Sequence, residues 1–412
     1  MREVFLVGVA MTKFGIHPGK SAADLGREAV TAALAEAGLK ASDPDAVFYA
    51  NTAQGAIEGQ HGMKGQHALM PIGVQGMPFY NVENACTGSS SALNLAFTQV
   101  AGGFADIAMA VGAEKLHTDD REKRFAAFGQ PMDVAEVTGF MKKYGDLVAD
   151  IQPPPEVVID EKIRSIFMDA YAVNARLHMK KFGTTWEQIA AVCAKNHHHS
   201  TMNPLAQFQK DMSVEDVLKA RVISWPLTLP MCAPVSDGGS AAIVCSKDVL
   251  DRFDPKKAIR VCASVLKGGT NRAIDDLEHA AARRAANAAF KQADLERKDI
   301  SVTEVHDAVA YGEMAQVEMV GLCDFGESGP LADEGAFSLG GPMPVNVSGG
   351  LESKGHPVAA TGIGQIYELA QHLRGDAGAR QVEGARYGLA SCSGGFIGVE
   401  DGATCVTILG PV

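Results

Sequence analysis

An unbroken apolar run, Phe5-Leu6-Val7-Gly8-Val9-Ala10-Met11, stands near the start of the chain and has the length of a strand buried on both faces. Thr12-Lys13 interrupts it well short of the roughly 18 apolar residues a membrane span needs, and no cleavage site follows. It is read as a first strand rather than a leader. Apolar positions at helical spacing, Ala32-Ala33-Leu34, Ala37 and Leu39, then lead through Asp43 into a second strand, Ala46-Val47-Phe48-Tyr49-Ala50. The same pattern returns at Ala288-Ala289-Phe290, Ala293, Leu295, Asp299 and Val302-Thr303-Glu304-Val305, at a constant offset of 256 positions. Each copy ends in polar residues, Asn51-Thr52 and His306-Asp307. A second echo sets Asn81-Val82-Glu83-Asn84-Ala85-Cys86, before a helix pattern from Ser90 to Val100, against Asn346-Val347-Ser348-Gly349-Gly350, before a helix pattern from Thr361 to Leu373. Two homologous αβ halves are predicted, facing each other. Their chemistry-bearing side chains fall where strands run into helices, the usual place for sites in open α/β sheets.

Residues 119–221 break this rhythm. Charge is dense at Asp119-Asp120-Arg121-Glu122-Lys123-Arg124 and Lys142-Lys143, and Gln152-Pro153-Pro154-Pro155-Glu156 ends any regular element. The stretch is predicted to be an inserted, largely helical loop domain. The chain returns to the first sheet at Ser236-Asp237-Gly238-Gly239-Ser240-Ala241-Ala242-Ile243-Val244-Cys245. The expected division is 1–118 with 222–250 as the N-terminal half, 119–221 as the insertion, and 251–412 as the C-terminal half.

Composition agrees with a large α/β protein. Of 412 residues, 46% are hydrophobic and 21% charged, which excludes wholesale disorder. The 44 glycines and only 6% aromatics suit closely approaching helices and strands. A net charge of −12 argues against a general nucleic-acid or anionic-membrane binder, though local cations can still hold an anionic small molecule. The eight cysteines have no CxxC spacing. Most, such as Cys193, Cys245, Cys262 and Cys405, read as small buried hydrophobes in a reducing compartment. A cytoplasmic location is expected, and the closing Gly410-Pro411-Val412 is not the usual peroxisomal tripeptide.

Four residues carry candidate chemistry. Cys86 ends a strand, precedes Thr87-Gly88-Ser89-Ser90-Ser91 and opens a helix, where free N–H donors and the helix dipole are expected to lower its thiol pKa. His356 lies in the Gly-flanked turn Gly349-Gly350-Leu351-Glu352-Ser353-Lys354-Gly355-His356-Pro357, at the equivalent helix entry of the second half. A Cys with a His base is what nucleophilic thiol chemistry requires. Cys392 sits in Leu389-Ala390-Ser391-Cys392-Ser393-Gly394-Gly395, whose glycines let backbone N–H groups approach an oxyanion. His306 ends the repeated strand and aims at the same crevice. His197-His198-His199 do not share one helix face and come with no HExxH or CxxC, so no metal is expected there. No GxxxxGK[ST], strand-borne GxGxxG or GxSxG is present, which removes nucleotide triphosphatase, Rossmann dehydrogenase and serine hydrolase readings.

Taken together, these blocks resemble the thiolase superfamily. Asn84-Ala85-Cys86-Thr87-Gly88-Ser89-Ser90-Ser91-Ala92-Leu93 resembles its nucleophile block, Gly355-His356-Pro357-Val358-Ala359-Ala360-Thr361-Gly362 its histidine block and Cys392-Ser393-Gly394 its terminal Cys-x-Gly. Lys195-Asn196-His197-His198-His199-Ser200 with Asn203-Pro204, Val305-His306-Asp307, and the Gly349–Pro357 turn are similar to the sterol-carrier-protein-type branch. The similarity covers nearly the whole chain. It implies a five-layered αβαβα fold, a loop domain that binds the nucleotide part of coenzyme A, and a homodimer or homotetramer. It implies that Cys86 is acylated by an acyl-CoA, and that His356 activates Cys86 and helps hold the thioester oxygen of the second substrate. His306 would orient a water for that oxygen, Cys392 would exchange a proton with the α-carbon of acetyl-CoA, and the N–H groups of Cys86 and Gly394 would form an oxyanion hole.

Coenzyme A is then a substrate rather than a resident cofactor, with Lys180, Lys181 and Lys195, besides Arg272 and Arg283-Arg284, as candidate phosphate partners. The chain departs from the pattern at Ala308, where animal members of the branch carry a Cys, and at Ala359, where Gly is usual and a methyl would narrow the crevice. No lipid-carrier domain is expected after the thiolase part. The expected activity is a CoA-dependent C-acyltransferase of lipid metabolism. The alternatives are a carbon–carbon lyase cleaving β-hydroxyacyl-CoA by retro-aldol chemistry, for which Tyr311 is the nearby candidate, and a thiolase-like subunit working with an accessory protein.

Overall fold

Alternating helices and buried strands give the chain two copies of one topology, seen in a computed structural model that describes residues 1–120, 122–123, 126–127, 133–155, 157–159 and 166–412. The first copy comprises β1 (Val4–Met11), α1 (Ala22–Ala37), β2 (Ala46–Ala50), β3 (Phe79–Val82), α2 (Gly88–Ala101) and β4 (Ile107–Glu114), and closes after the insertion with β5 (Gly238–Ser246). The insertion carries α3 (Val134–Tyr144), α4 (Ile166–Phe182) and α5 (Trp186–Ser200). The second copy comprises β6 (Ile259–Gly268), α6 (Ala281–Ala293), β7 (Val302–Val305), α7 (Ala310–Val320), α8 (Thr361–Arg374), β8 (Gly388–Gly394) and β9 (Ala403–Gly410).

The sheet order is β3-β2-β4-β5-β1-β6-β9-β8-β7. It reads the same from either end. β2 pairs parallel with β4 as β7 does with β8, and β4 runs antiparallel to β5 as β8 does to β9. Even β3 has its counterpart, a parallel bridge from Thr303 to Val345 beside β7. Within the sheet, the described residues join the two wings through the antiparallel pairs Phe5–Arg260 and Leu6–Ile259. Both strand pairs predicted from the 256-residue echo form, β2 starting at Ala46 and β7 at Val302.

Three cores define the layers. Leu93, Ala96 and Phe97 of α2 and Ile363, Ile366 and Leu369 of α8 share one core with Leu6, Phe48, Ala390 and Leu409 of the two wings. α1 covers the outside of the first wing with Val30, Ala33 and Leu34 on Phe5, Val47 and Ile243. α6 covers the second with Ala285, Ala289 and Phe290 on Ala263, Val406 and Ile408. The result is the expected αβαβα stack. Truncating a central residue such as Leu93 to Ala costs about 2–5 kcal/mol, because the sandwiched layer has no solvent side onto which it can relax. α1 begins sharply because Ser21 and Asp24 form a reciprocal cap, and it stops at Gly38, whose φ of 69° the helix cannot continue.

Helices dominate the described residues between β4 and β5. The hairpin Val222–Ser224 with Leu227–Thr228 packs on the inserted helices: Ser224 donates to Asp169 at 2.6 Å, and Trp186 Nε1 donates to Pro226 O at 2.7 Å. The first sheet resumes at Gly238 rather than at residue 222. Of the predicted charge run at 119–124 and proline run at 152–156, Arg121, Arg124 and Glu156 lie outside the described residues.

Candidate active site

Cys86 is presented by a strained elbow. Ala85, just before it, has φ of 48°, a left-handed conformation that costs a non-glycine residue roughly 1–2 kcal/mol. Glu83 holds it there by accepting from Ala85 N at 2.7 Å. A 3₁₀ turn, Ala85–Thr87, then feeds α2, which leaves the thiol at the helix entry and only 9% exposed.

His356 reaches this thiol from the opposite half. Its backbone N–H donates to Ser236 Oγ at 2.9 Å, and its Nε2 lies 3.3 Å from Cys86 Sγ. The other ring nitrogen, Nδ1, is 2.7 Å from Thr361 Oγ1. The Thr361 hydroxyl spends its single proton on Pro357 O at 3.1 Å, so it accepts from Nδ1–H. That fixes the tautomer with Nε2 bare and facing the thiol, the arrangement of a general base.

Cys392, on β8, donates to the Cys86 carbonyl at 3.3 Å and lies 3.9 Å from His306 Nδ1. The rings of His306 and His356 stand edge to face with centroids 5.3 Å apart. Gly394 closes the site from below. A Cβ there would fall 2.4 Å from Asn84 O and 2.9 Å from Cys86 N, so only glycine brings these two backbones together. All the residues expected to carry chemistry therefore converge: Cys86, His356, Cys392, His306 and the Cys86 and Gly394 peptides. Cys86, His306 and His356 are also, among the described residues, the one group of three whose potential metal-ligating atoms all lie within 4.8 Å.

One electrostatic expectation is corrected. Burial, then the neighbouring Cys392, pushes the Cys86 thiol up, outweighing the helix entry that was expected to lower it. Burial likewise pushes Cys392 up to about 12 and His306 down to about 4. It holds His356 well below its ordinary range, with His306 adding to the effect. The resting pair is a neutral thiol and a neutral imidazole.

Two buried networks frame the site, and neither carries a local motif. Glu114, at the end of β4, accepts from Asn51 Nδ2 at 3.0 Å, Thr52 N at 3.1 Å, Ala53 N at 3.0 Å and Ala359 N at 3.2 Å. Burial still raises it to about 7. Asp307 accepts from Leu351 N at 2.8 Å and from Asn196 Nδ2 at 3.2 Å, and Asn196 also donates to Glu313 and Glu352. A Cβ at Gly350 would lie 2.1 Å from Asp307 Oδ2, which is why the loop toward His356 needs glycine there. Thr361 and Ser236, which orient His356, stand inside quoted motifs, but nothing in the motifs marks their role.

The cation predictions fare differently. Lys195 is largely covered, paired with Glu313 at 2.7 Å and donating to Val345 O at 2.7 Å, so its charge is committed within the protein rather than free for a phosphate. Arg272 is equally committed, to Glu400 at 2.9 Å and to three carbonyls. Arg283 pairs with Glu278 at 3.1 Å, and Arg284 is turned onto His279 O. Lys180 is exposed but tied to Asp150 and Leu147 O, both at 2.8 Å. Lys181 has no ion pair among the described residues and lies over the Phe182 ring. The three histidines point apart. His197 faces Ser353, His198 faces Asp211 in solvent, and His199 is held between Asn346 O and Leu339 N. Ala359 is fully buried, its methyl 3.7 Å from where a Cβ on Gly88 would stand.

Residues 4–220 match the family model described as thiolase, N-terminal domain, and residues 265–410 that described as thiolase C-terminal domain-like. The chain belongs to the thiolase family. This thiolase is 36% identical, over 96% of its length and 97% of the relative's, to an acetyl-CoA acetyltransferase of Methanothermobacter thermautotrophicus. It is 35% identical to sterol carrier protein 2 of Gallus gallus, over 94% of this chain and 69% of that one. Among solved structures, the Ltp2-ChsH2(DUF35) aldolase shares its fold with a TM-score of 0.77 at 22% identity, covering 99% of this chain and 98% of that one. The family fold accounts for the doubled topology and for a site built at the seam of the two halves.

Proposed function

We propose that this thiolase is a CoA-dependent C-acyltransferase that cleaves 3-oxoacyl-CoA with coenzyme A, or runs the reverse condensation, through an acyl group on Cys86. In the cleavage direction, His356 Nε2 takes the Cys86 proton as the sulfur attacks the 3-oxo carbon. The N–H groups of Cys86 and Gly394 face the alkoxide that forms. Its collapse breaks the Cα–Cβ bond and leaves acyl-Cys86. The electron pair passes to the acetyl-CoA enolate, whose oxygen meets the protonated His356 and a water oriented by His306. Cys392, protonated at rest, gives its proton to the α-carbon. The resulting thiolate then takes the proton of coenzyme A, whose sulfur attacks acyl-Cys86. The departing Cys86 thiolate recovers its proton from His356, so protons and electron pairs balance over the cycle.

The observation that carries this reading is the 3.3 Å contact of a bare His356 Nε2 with Cys86 Sγ, with a second thiol at the Cys86 carbonyl. Two thiols and one base supply the nucleophile and the acid/base that Claisen chemistry requires. Brief exposure to acetyl-CoA followed by peptide mapping tests it. A label confined to Cys86 is expected, and a label on Cys392 with Cys86 untouched would contradict it.

The same reading extends to the setting. Coenzyme A enters as substrate, and a second copy of the chain pairs at the exposed β3 edge to give a homo-oligomer. The eight free cysteines support a reducing, cytoplasmic location. The reading keeps two halves and an insertion, with the 222–228 hairpin assigned to the insertion because Ser224 and Pro226 bond to the inserted helices. A further protein subunit is part of the reading only by analogy with the aldolase assembly.

A further inference from the structure

Two joined chambers lead from His306 to the protein surface. The inner one, about 130 Å³, is lined by His306, Tyr171, Gln316, Phe396 and Asp401. The outer one, about 290 Å³, is walled by Leu147, Leu177, Phe182, Ile274, Leu277 and Met319 and opens beside Lys180 and Lys181. Asn174, Ile274, Leu277, Tyr311, Ala315 and Met319 line both, so they form the junction. Within the outer wall the polar groups are largely spoken for. His178 is bonded to Glu318 at 3.0 Å and to Thr184 at 2.8 Å, and Lys180 is tied to Asp150. At the junction, by contrast, the Tyr311 hydroxyl and the Asn174 amide have no hydrogen-bond partner among the described residues.

This contrast bears on what fills the space. The pantetheine arm of coenzyme A carries two amides, and burying an amide without a partner is costly. The outer wall offers such amides little, whereas hydrocarbon loses nothing there and leaves water. The size also exceeds an acetyl group. Together the chambers reach the lower end of the roughly 300–1,000 Å³ typical of small-molecule sites.

We propose that these chambers hold the acyl group of the substrate, and that Tyr311 and Asn174 select acyl groups with a hydrogen-bonding oxygen at the junction and a hydrocarbon ring or branched chain beyond it. The proposal rests on the thiolase reading above and names its substrate class. The 3-oxo carbon reacts at Cys86, the inner chamber takes the first carbons, and the junction meets the oxygen. Met319, Leu277 and Ile274 then enclose the apolar remainder. Lys181 stands at the mouth, beside Asp275, and faces the far end of the longest groups rather than a coenzyme phosphate.

The test compares kcat/KM for acetoacetyl-CoA, 3-oxodecanoyl-CoA and a phenyl-terminated 3-oxoacyl-CoA with and without a mid-chain hydroxyl. The wild-type protein is expected to favour the hydroxylated phenyl substrate over its deoxy analogue by about tenfold, the worth of one neutral hydrogen bond. Tyr311→Phe is expected to erase that preference. Met319→Trp, which fills the junction, is expected to lower the ratio of phenyl-terminated to acetoacetyl substrate by about 100-fold. Ala315→Leu narrows the same place more gently, should the tryptophan variant fold poorly.

Equal losses for all substrates in Met319→Trp, together with weaker binding of coenzyme A itself, would overturn the proposal and assign the chambers to the coenzyme arm. A wild-type enzyme indifferent to size and to the hydroxyl would overturn it as well. Mass spectrometry of acyl-Cys86 separates the two readings. No adduct with any substrate counts against thiolase chemistry, whereas an adduct without the expected preferences counts only against the chambers.

Discussion

The ends of β2 and β7 occupy the same place in the two halves and do opposite things. After β2, Asn51, Thr52 and Ala53 all turn inward to donate to Glu114, and no reactive side chain emerges. After β7 the inward role falls to Asp307 alone, and His306 is left facing the crevice, 3.9 Å from Cys392. The helix entries invert the pattern. That of α2 presents Cys86, while that of α8 supplies Thr361, which sets the tautomer of His356. The duplicated fold thus contributes unequally: the first half presents Cys86 alone, and the second presents His306, His356 and Cys392. The seam between the halves is where the reactive positions meet.

Removing chemistry and removing support should therefore fail differently. The largest effect is expected for Cys86→Ala, which should lose the acyl-enzyme and turnover together, on the order of a million-fold for one member of a nucleophile–base unit. Single-turnover acylation followed by mass spectrometry checks it. Next, His306→Ala should slow turnover by about 10²–10⁴-fold while leaving the denaturation midpoint close to wild type. Glu114→Gln should do the reverse. An amide cannot accept all four donors, and stability should fall by about 1–3 kcal/mol in urea unfolding. A stable Glu114→Gln with a large rate defect would break the comparison.

Thr361→Val is expected to cost about tenfold in acylation, because Nδ1 loses the acceptor that fixes its proton. The smallest effect is on pH dependence. Protonating His356 removes the base, and burial lowers the pH at which this happens. Acylation should stay level as pH falls to 6.5, the ordinary histidine value, and decline only below it. A decline centred above 6.5 would show that the imidazole is stabilised in its charged form.

Much of this was legible in the sequence. The repeated helix–turn–strand pattern reports burial directly, so both halves and their 256-residue offset follow from periodicity. The reactive residues stand in short ordered motifs whose glycines mark tight turns. What escaped is long-range and polar. Glu114 follows a buried strand without a local signal, and its donors come from Asn51 to Ala53 and from Ala359. Lys195 looks like any surface lysine until Glu313, more than a hundred residues away, takes its charge. The thiol of Cys86 was misjudged because helix position is visible in sequence and desolvation is not.

The central claim is that two thiols from opposite halves divide the reaction, Cys86 as nucleophile and Cys392 as acid/base. Deuterium wash-in from D₂O into the methyl group of acetyl-CoA tests it most directly, measured for Cys392→Ala alongside acylation of Cys86. The account predicts that Cys86 is still acylated in this variant, since Cys86 and His356 suffice for attack, while exchange falls by about 10²–10⁴-fold. Exchange at the wild-type rate in Cys392→Ala would contradict it and move the acid/base role to another group in the crevice, with His306 and Tyr311 the nearest candidates.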